Sequence, residues 1–181
     1  MHTIRRVVTG HGSNGKSKVI IDAPADTVID MGFNCRVIEL WATHEAKPTN
    51  LGNDDAALKS PLVRTPPPFG DKFRIIEFAP DEQVDHEVAN RHMAERMSAG
   101  RMLGSVKEHL HRSETIDYVI VVKGEISHLT ESDEVLLKQG DVLIQRGTYH
   151  AWRNRSKQPA LIAVILRDAQ PLEPPSAPAT A

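Results

Sequence analysis

The chain has 181 residues, a formal net charge of −2, and 40% hydrophobic and 25% charged residues. This length is typical of one domain with a sizeable core. Nucleic acids bind basic protein surfaces, so the near-neutral charge argues against a nucleic-acid partner. It also argues against attraction to an anionic membrane. We expect a cytoplasmic protein, because the N-terminus lacks the apolar stretch of a signal peptide and no run approaches the ~20 residues that span a bilayer.

The N-terminal part of the chain predicts short strands around one long loop. Strands are expected at residues 4–9, 18–22, 36–43 and 73–79, where β-formers lie between turn residues. Alternation in the third strand predicts one face made of Val37, Glu39, Trp41 and Thr43. The Pro-rich residues 45–71 form a loop of the length that is usually functional, and we interpret it as an arm that packs across a partner subunit.

The second half of the chain predicts one helix and then strand after strand. Residues 82–98 have apolar side chains at helical spacing, which predicts the helix. Five short runs then predict strands at 116–122, 125–129, 134–138, 141–146 and 160–167. Short strands at close spacing indicate a sandwich or barrel. We therefore predict one domain over residues 1–170, with a barrel core at 105–168 and a disordered tail at 171–181.

Histidines and a carboxylate recur within the predicted barrel core. Inward positions alternate along each strand of a barrel. His109, His111 and Ser113 therefore share one face of their strand. Likewise, His150, Trp152 and Asn154 share one face of theirs. Asp117 adds a carboxylate, and imidazole with carboxylate suits a divalent iron, zinc, manganese, nickel or copper ion.

Two stretches of the chain resemble the sequence motifs of the cupin superfamily. The second cupin motif, G-x5-P-x-G-x2-H-x3-N, is similar to the stretch from Gly140 to Asn154. The part G-x2-H-x3-N is intact at Gly147, His150 and Asn154. The proline of the motif is missing, and the run from Gly140 to Gly147 is one residue shorter than in the motif. The phrases HRSxTIDY and QRGTxHAWRN resemble a subgroup of small single-domain cupins. The resemblance implies an all-β, double-stranded β-helix (jelly-roll) barrel with one short helix.

The first cupin motif, G-x5-H-x-H-x3,4-E-x6-G, can be aligned in two ways. In one alignment His111 is the first histidine, Ser113 replaces the second, and Asp117 replaces the glutamate. In the other, His109 and His111 form the pair, and Asp117 lies one or two residues too far along, which a β-bulge would absorb. The resemblance to the subgroup favours the first alignment. It implies His111, Asp117 and His150 as metal ligands, with His109 as the alternative ligand.

Two histidines and one carboxylate are the ligands of a mononuclear non-haem iron site. We therefore predict a metal-dependent enzyme, most concretely an oxygenase, in which Asp117 and His150 are catalytic. Its substrate would be a small organic molecule, such as an aromatic or carboxylated one, held in the barrel cavity. Candidate substrate contacts are Ser113, Gln145, Arg146 and Trp152, of which the Arg146 guanidinium suits a carboxylate.

Two other classes of function stay open on the sequence. Asp117 with a histidine also suits acid–base chemistry without redox, as in an isomerase, cyclase, dehydratase or decarboxylase. Ser113 at a ligand position would instead mark a non-catalytic cupin that has lost its metal and binds a small molecule. Single-barrel cupins commonly pair, so the resemblance also implies a homodimer. The remaining histidines, including His128, have no partner at ligand spacing and are interpreted as surface or ordinary structural residues.

Overall fold

The computed structural model describes residues 2–31, 35–59, 65–85, 103–104 and 110–171. Over these residues the strands are β1 Arg5–His11, β2 Ser17–Pro24, β3 Val28–Asp30, β4 Cys35–Ala42, β5 Asp71–Phe78, β6 Leu103–Gly104, β7 His111–Arg112, β8 Thr115–Lys123, β9 Glu125–Leu129, β10 Glu134–Lys138, β11 Val142–Arg146, β12 Ala151–Arg153 and β13 Ala160–Asp168. Two short helical segments accompany them, α1 Ala56–Lys59 and a 3₁₀ turn Asp81–Gln83. The described residues hold no helix long and apolar enough to cross a bilayer. The predicted all-β barrel fold is confirmed.

Two sheets face each other across the core. The larger sheet has the order β11–β8–β13–β5–β4–β3, and the smaller has the order β10–β9–β12. A backbone bridge between His111 and His150 extends the smaller sheet towards β7 and β6. The core between the sheets contains Val119, Val121, Ile126, Leu137, Ala160, Ile162 and Val164. Burial of such aliphatic side chains, each about 1.5–3 kcal/mol, is the main force that closes the barrel.

Turn residues end the strands where the sequence predicts. Gly124, between β8 and β9, has a φ of 76°, and Gly140, before β11, has a φ of 94°. Glycine adopts this left-handed region at low cost. A Cβ on Gly124 would also lie 3.1 Å from the carbonyl oxygen of Pro159, so this turn requires glycine on two grounds.

A β-bulge in β4 reverses the predicted faces of that strand. Glu39 pairs with Arg74, whereas Trp41 pairs with Phe73, the next residue of β5, so Leu40 is the extra residue. Because paired residues share a face, Glu39 lies inside with Arg74 and Trp41 lies outside with Phe73. The prediction that Glu39 and Trp41 share a face was therefore wrong, since a bulge breaks strict alternation.

The predicted helix at 82–98 does not begin as an α-helix. The chain forms the 3₁₀ turn at Asp81–Gln83 and is then extended at Val84. Asp81 is tied to the end of β12, because its N–H donates to the Asn154 carbonyl at 2.8 Å and its Oδ1 accepts from the Asn154 N–H at 3.0 Å. Residues 86–98 of the predicted helix, and 172–181 of the predicted tail, lie outside the described residues.

The predicted arm at 45–71 packs against its own chain where it is described. The Asp55 carboxylate forms an ion pair with Arg6 of β1, and Asn53 donates a hydrogen bond to the His11 carbonyl at 3.0 Å. Asp55 Oδ1 also accepts from the Ala57 N–H at 3.0 Å, which caps the start of α1. This short helix was not predicted, and residues 60–64 lie outside the described residues.

Candidate functional site

Three buried polar side chains form a hydrogen-bonded chain inside the barrel. Gln145 lies opposite Asp117 in the ladder between β11 and β8. Its Nε2 donates to Asp117 Oδ2 at 2.6 Å, and its Oε1 lies 3.0 Å from His128 Nε2. Because an amide oxygen only accepts, His128 presents a protonated Nε2 to Gln145. All three residues are at most 5% exposed, so the barrel shields this chain from water.

His111 and His150 lie side by side at the edge of the smaller sheet. Each backbone N–H donates to the other's carbonyl, at 3.0 and 2.9 Å, and the ring centroids are 4.3 Å apart. His150 Nδ1 lies 2.9 Å from the Thr148 carbonyl oxygen. A carbonyl only accepts, so Nδ1 is protonated and the lone pair of the neutral ring is on Nε2. This is the arrangement that commonly orients a metal-ligating histidine.

His128 joins these two groups, although its spacing in the sequence indicates a surface or ordinary structural residue. Its ring stacks on His150 at a centroid distance of 5.8 Å and meets the edge of Trp152 at 4.8 Å. The contact follows from the ladder between β12 and β9, in which Trp152 lies opposite His128. No local spacing in the sequence reveals that pairing, so His128 was missed.

Burial sets the protonation states of Asp117 and His128 in this hydrogen-bonded chain. It raises the pKa of Asp117 to about 6, against the opposing effects of the Thr115 hydroxyl, the Arg74 charge and the Gln145 amide. Burial also lowers the pKa of His128, so that imidazole is neutral at pH 7. Asp117 Oδ1 is buried and has no hydrogen-bond partner in the described part of the chain. Asp117 is thus an acid whose pKa suits proton transfer near neutral pH.

A second polar cluster, the Lys72–Glu39–Arg74 cluster, lies on the same interior wall. Arg74 Nη2 lies 2.5 Å from Glu39 Oε1, and Lys72 Nζ lies 3.8 Å from the same oxygen. Lys72 and Asp117 occupy one row across the sheet, each paired with Leu166 between them. Burial lowers the pKa of Lys72 to about 8 and also lowers the pKa of Arg74, and Glu39 opposes both changes.

The sequence contains one signal that indicates the Lys72–Glu39–Arg74 cluster. Lys72 and Arg74 occupy the same alternating positions of the strand as Ile76 and Phe78, which pack against the core, so all four lie on one face. Charged residues at interior positions of a strand are uncommon and are normally paired when buried. They therefore mark a position for a partner carboxylate, which β4 supplies through Glu39.

One of the predicted substrate contacts, Arg146, lies away from the interior chain. Arg146 is exposed and follows the inward Gln145 directly, so alternation places it on the outer side of β11. Ser113 is half-buried, and its Oγ lies 2.6 Å from Oγ1 of Thr115, whose hydroxyl bonds Asp117, so Ser113 is linked to the interior chain. The structure therefore brings Gln145 and Trp152 to the histidines, and it does not bring Arg146 there.

The three predicted metal ligands are not assembled into one group. Within the described ranges, no three His, Cys, Asp or Glu side chains converge in a way that could hold a metal ion. His111 and His150 adjoin, while Asp117 is bonded to Gln145. His109, the alternative ligand, lies outside the described residues. Metal binding by these residues stays a prediction.

Asn154, the last residue of the second motif, stabilises the local backbone and is not a member of the Asp117–Gln145–His128 hydrogen-bonded chain. Its Nδ2 donates to the carbonyls of Phe78 and Gln158 at 3.0 and 2.8 Å, and its Oδ1 accepts from the N–H and hydroxyl of Ser156 at 3.1 and 2.8 Å. The side chain thus fastens the turn between β12 and β13 to the end of β5.

We expect Asn154→Ala to lower the free energy of unfolding by about 2–4 kcal/mol, because it leaves buried backbone groups without partners. Urea denaturation measures the change. Gln158→Ala is the control, since Gln158 contributes its backbone carbonyl to this network, and it should change the stability by less than about 0.5 kcal/mol. Equal stability of the two variants would show that the network is unimportant.

The chain is similar to one family model and to several known proteins. Residues 102–166 match the cupin domain family. The chain is 33% identical to phomopsin biosynthesis cluster protein C' of Diaporthe leptostromiformis, over 96% of this chain and 82% of that protein. It is 26% identical to the cupin-domain-containing oxidoreductase virC of Hypocrea virens, over 92% of this chain and 77% of that protein. The Cnp3 cupin domain of Schizosaccharomyces pombe superposes with a TM-score of 0.47 and 11% identity, over 91% of this chain and 87% of that chain.

The chain belongs to the cupin family. This membership confirms the resemblance that the two sequence motifs indicate, and it includes relatives that are named oxidoreductases.

Proposed function

We propose that this cupin is a metal-dependent oxidoreductase that acts on a small organic molecule at the interior histidines and Asp117. The observation that carries the proposal is the adjoining pair of imidazole rings of His111 and His150, with His128 stacked on His150 and joined through Gln145 to the buried carboxylate of Asp117. The relatives' names add support, because they include cupin-domain-containing oxidoreductases and a protein of a biosynthesis cluster. An oxygenase is the most concrete form of this function.

The donor set of the interior fits a divalent ion in its chemistry. The His111 and His150 rings adjoin, and the His150 tautomer leaves its lone pair on Nε2. Asp117 Oδ1 is a buried carboxylate oxygen with no hydrogen-bond partner among the described residues. In the favoured motif alignment these three residues would hold the ion, and in the other alignment His109 would take one place. A bound redox-active ion would supply the oxygen chemistry.

The chain's own residues would supply proton transfer and positioning. Without a bound ion, Asp117 would accept or donate a proton at Oδ1, since its pKa of about 6 lies close to neutral pH; with an ion bound at Oδ1 it would act as a ligand instead. Gln145 fixes the orientation of the carboxylate through Oδ2, and the neutral His128 fixes the orientation of the Gln145 amide. Because all three are buried, water competes little with these bonds.

A non-redox acid–base enzyme is the second candidate function. One observation favours it, namely the raised pKa of Asp117. Such an enzyme would isomerise, cyclise, dehydrate or decarboxylate its substrate through Asp117. Once a substrate is known, turnover under strictly anaerobic conditions would identify this class, because an oxygenase would stop.

Metal titration of variants tests the proposed ligands without a substrate. Chelator-treated protein would be titrated calorimetrically with Fe²⁺, Mn²⁺, Zn²⁺, Ni²⁺ and Cu²⁺. We expect His111→Ala and His150→Ala each to weaken binding by more than about 100-fold, and His128→Ala by about 10-fold or less, since it acts only through contacts with the ligands. His44→Ala, in an exposed loop, is the control. Equal affinities for His150→Ala and His44→Ala would rule out the proposed ligands.

A further inference from the structure

A tight turn before β5 holds an aromatic side chain in a backbone conformation that favours glycine. The Gly70 N–H donates to the Pro67 carbonyl at 2.9 Å, which closes a β-turn. The two central residues of this turn are Pro68 and Phe69, and Phe69 has a φ of 63°. Proline followed by a residue with positive φ is the pattern of a type II turn, in which glycine normally occupies the second central position. Phe69 therefore has a strained backbone.

The surrounding contacts fix this turn, while the aromatic ring itself stays outside the core. The Phe69 N–H donates to Asp168 Oδ2 at 2.7 Å. A Cβ on Gly70 would lie 2.1 Å from the Thr43 carbonyl oxygen, so the backbone of the turn packs tightly there. The Phe69 side chain is nevertheless 68% exposed. A strained residue with an exposed ring lowers stability, and proteins keep such residues mainly where function needs them.

This turn lies at the end of the barrel that holds the candidate site, which we call the site end. Asp168, the last residue of β13, pairs there with Thr115, the first residue of β8. Two residues further in, Leu166 pairs with Asp117, at a spacing of ~6.8 Å along the strands. Alternate residues share a face, so Asp168 and Thr115 lie on the inner side like Asp117. The hydrogen bond to Asp168 therefore places the backbone of Phe69 on the inner side of the site end.

The candidate site also meets water at the site end. His111 and Ser113 are half-buried, whereas Asp117 is only 5% exposed. Ser113 Oγ lies 2.6 Å from Oγ1 of Thr115, so the half-buried residues adjoin the strand end that holds the turn. A small molecule that reaches the site past His111 and Ser113 would therefore enter at the end of the barrel where the Phe69 ring is exposed.

We propose that Phe69 stacks against an aromatic ring of the substrate at the site end and thereby selects planar substrates. The inference rests on the proposed function, because it takes the interior site as the place where the substrate reacts. A single exposed ring is too small for a protein partner, since a specific interface buries about 800 Å² on each side. It matches the face of one aromatic ring, and such pairs are favourable at centroid distances of about 4.5–7 Å.

Other side chains of the site agree better with an aromatic substrate than with a carboxylated one. Trp152 is half-buried inside the barrel, and its ring meets the His128 ring at a centroid distance of 4.8 Å. Aromatic side chains therefore lie at two depths. Arg146, the predicted contact for a carboxylate, lies on the outer side of β11, and the interior Arg74 already pairs with Glu39 at 2.5 Å. Of the two substrate classes that the sequence predicts, the aromatic one has the better support.

Nuclear magnetic resonance of the full, chelator-treated chain tests the contact directly. Isotope-labelled phenylalanine gives ring signals for the four Phe residues, and the spectrum of Phe69→Leu would assign the signal of Phe69. We expect phenol and indole to shift this signal through the ring current of the bound probe. Phe73 is 37% exposed on the outer side of β5, so it is the internal control and its signal should stay unchanged.

Affinity measurements on variants separate stacking from a structural role. Phe69→Gly removes the ring and suits the positive φ, so its melting temperature should equal the wild-type value or exceed it by up to about 3 °C. It should nevertheless bind phenol about 5–10-fold more weakly, because the stacked pair is lost. Cyclohexanol, a saturated probe of similar size, should lose less than about 2-fold, since a puckered ring stacks poorly. Phe69→Tyr should keep the phenol affinity, and so should the control Phe73→Ala.

Several results would overturn the role of Phe69. They are unchanged phenol affinity in folded Phe69→Gly, an equal loss for phenol and cyclohexanol, ring shifts at Phe73 in place of Phe69, and no binding of either aromatic probe to the wild type. Because these titrations need no metal, a chain that binds phenol at Phe69 but holds no ion would contradict only the proposed metal dependence. Metal binding that depends on His150, without any phenol contact, would contradict only the role of Phe69.

Discussion

Glu39→Gln is expected to lower the free energy of unfolding by about 3–5 kcal/mol. Glu39 is 1% exposed, and its carboxylate is the described partner of two buried cations, Arg74 at 2.5 Å and Lys72 at 3.8 Å. Removal of one member of a buried ion pair leaves charge in a low-dielectric interior, which costs far more than the pair contributes to stability. Urea denaturation at pH 7 measures the effect.

Glu77→Gln is the matched control for this change. Glu77 also forms an ion pair, with Arg36, but it lies on the outer side of the sheet, where the Arg36 side chain is 17% exposed. Glu77 itself is 6% exposed, but the cation left behind would be the partly exposed Arg36, which water can reach, so the same substitution should cost only about 1–2 kcal/mol. A second variant, Glu39→Gln with Lys72→Met, should recover part of the loss because it removes one buried ammonium group. Equal costs for the Glu39 and Glu77 variants would contradict a charge effect specific to the barrel interior.

Asp117→Asn is expected to change how stability depends on pH in the chelator-treated protein. The pKa of Asp117 is about 6 in the folded chain, against an ordinary value of 3.8. The folded state therefore holds this proton more tightly, and the resulting stabilisation is complete below pH 3.8 and is lost as the pH rises through 6. A shift of this size corresponds to about 3 kcal/mol.

The asparagine variant does not titrate, so it does not lose this stabilisation. Relative to wild type, its free energy of unfolding should therefore rise by about 3 kcal/mol between pH 3.8 and pH 7. Urea titrations across this range measure the difference, and any constant cost of the amide cancels. Asp133→Asn, on the exposed turn before β10, is the control and should follow the wild-type profile. Parallel profiles for Asp117→Asn and wild type would contradict the raised pKa.

A rise in the relative stability of Asp117→Asn with pH would also indicate a functional role for Asp117. A buried carboxyl group that destabilises the fold at neutral pH persists in natural proteins mainly where activity needs it. The stability gained by Asp117→Asn would then accompany the loss of proton transfer at Oδ1. The Asp117–Gln145–His128 hydrogen-bonded chain would thereby be distinguished from polar residues that only stabilise the backbone, such as Asn154.

The sequence predicts those features that depend on local spacing. Glycine turns such as Gly124 and Gly140 delimit the strands of the barrel core, and the second cupin motif locates His150 and Asn154. Alternation along β8 and β11 also places Asp117 and Gln145 on facing inner positions once their register is known. These signals operate over a few residues, which is the range that a single sequence shows directly.

The missed features depend on contacts between distant strands. His128 reaches His150 only because β9 pairs with β12 in one particular register. The Lys72–Glu39–Arg74 cluster needs the pairing of β4 with β5, and the bulge at Leu40 decides that Glu39 faces inward while Trp41 faces outward. A shift of one residue in either ladder would reverse these faces, and nothing in the local sequence fixes the shift.

The most direct test of a metal-dependent interior site is the metal content of the full chain. Protein purified without a histidine tag or a chelating column would be measured by plasma mass spectrometry, beside His150→Ala. We predict about one iron, manganese, zinc, nickel or copper ion per wild-type chain and a loss of that ion in the variant. A wild-type chain without metal, even after reconstitution with each ion, would contradict metal dependence. It would favour a non-catalytic cupin in which Ser113 marks a lost ligand.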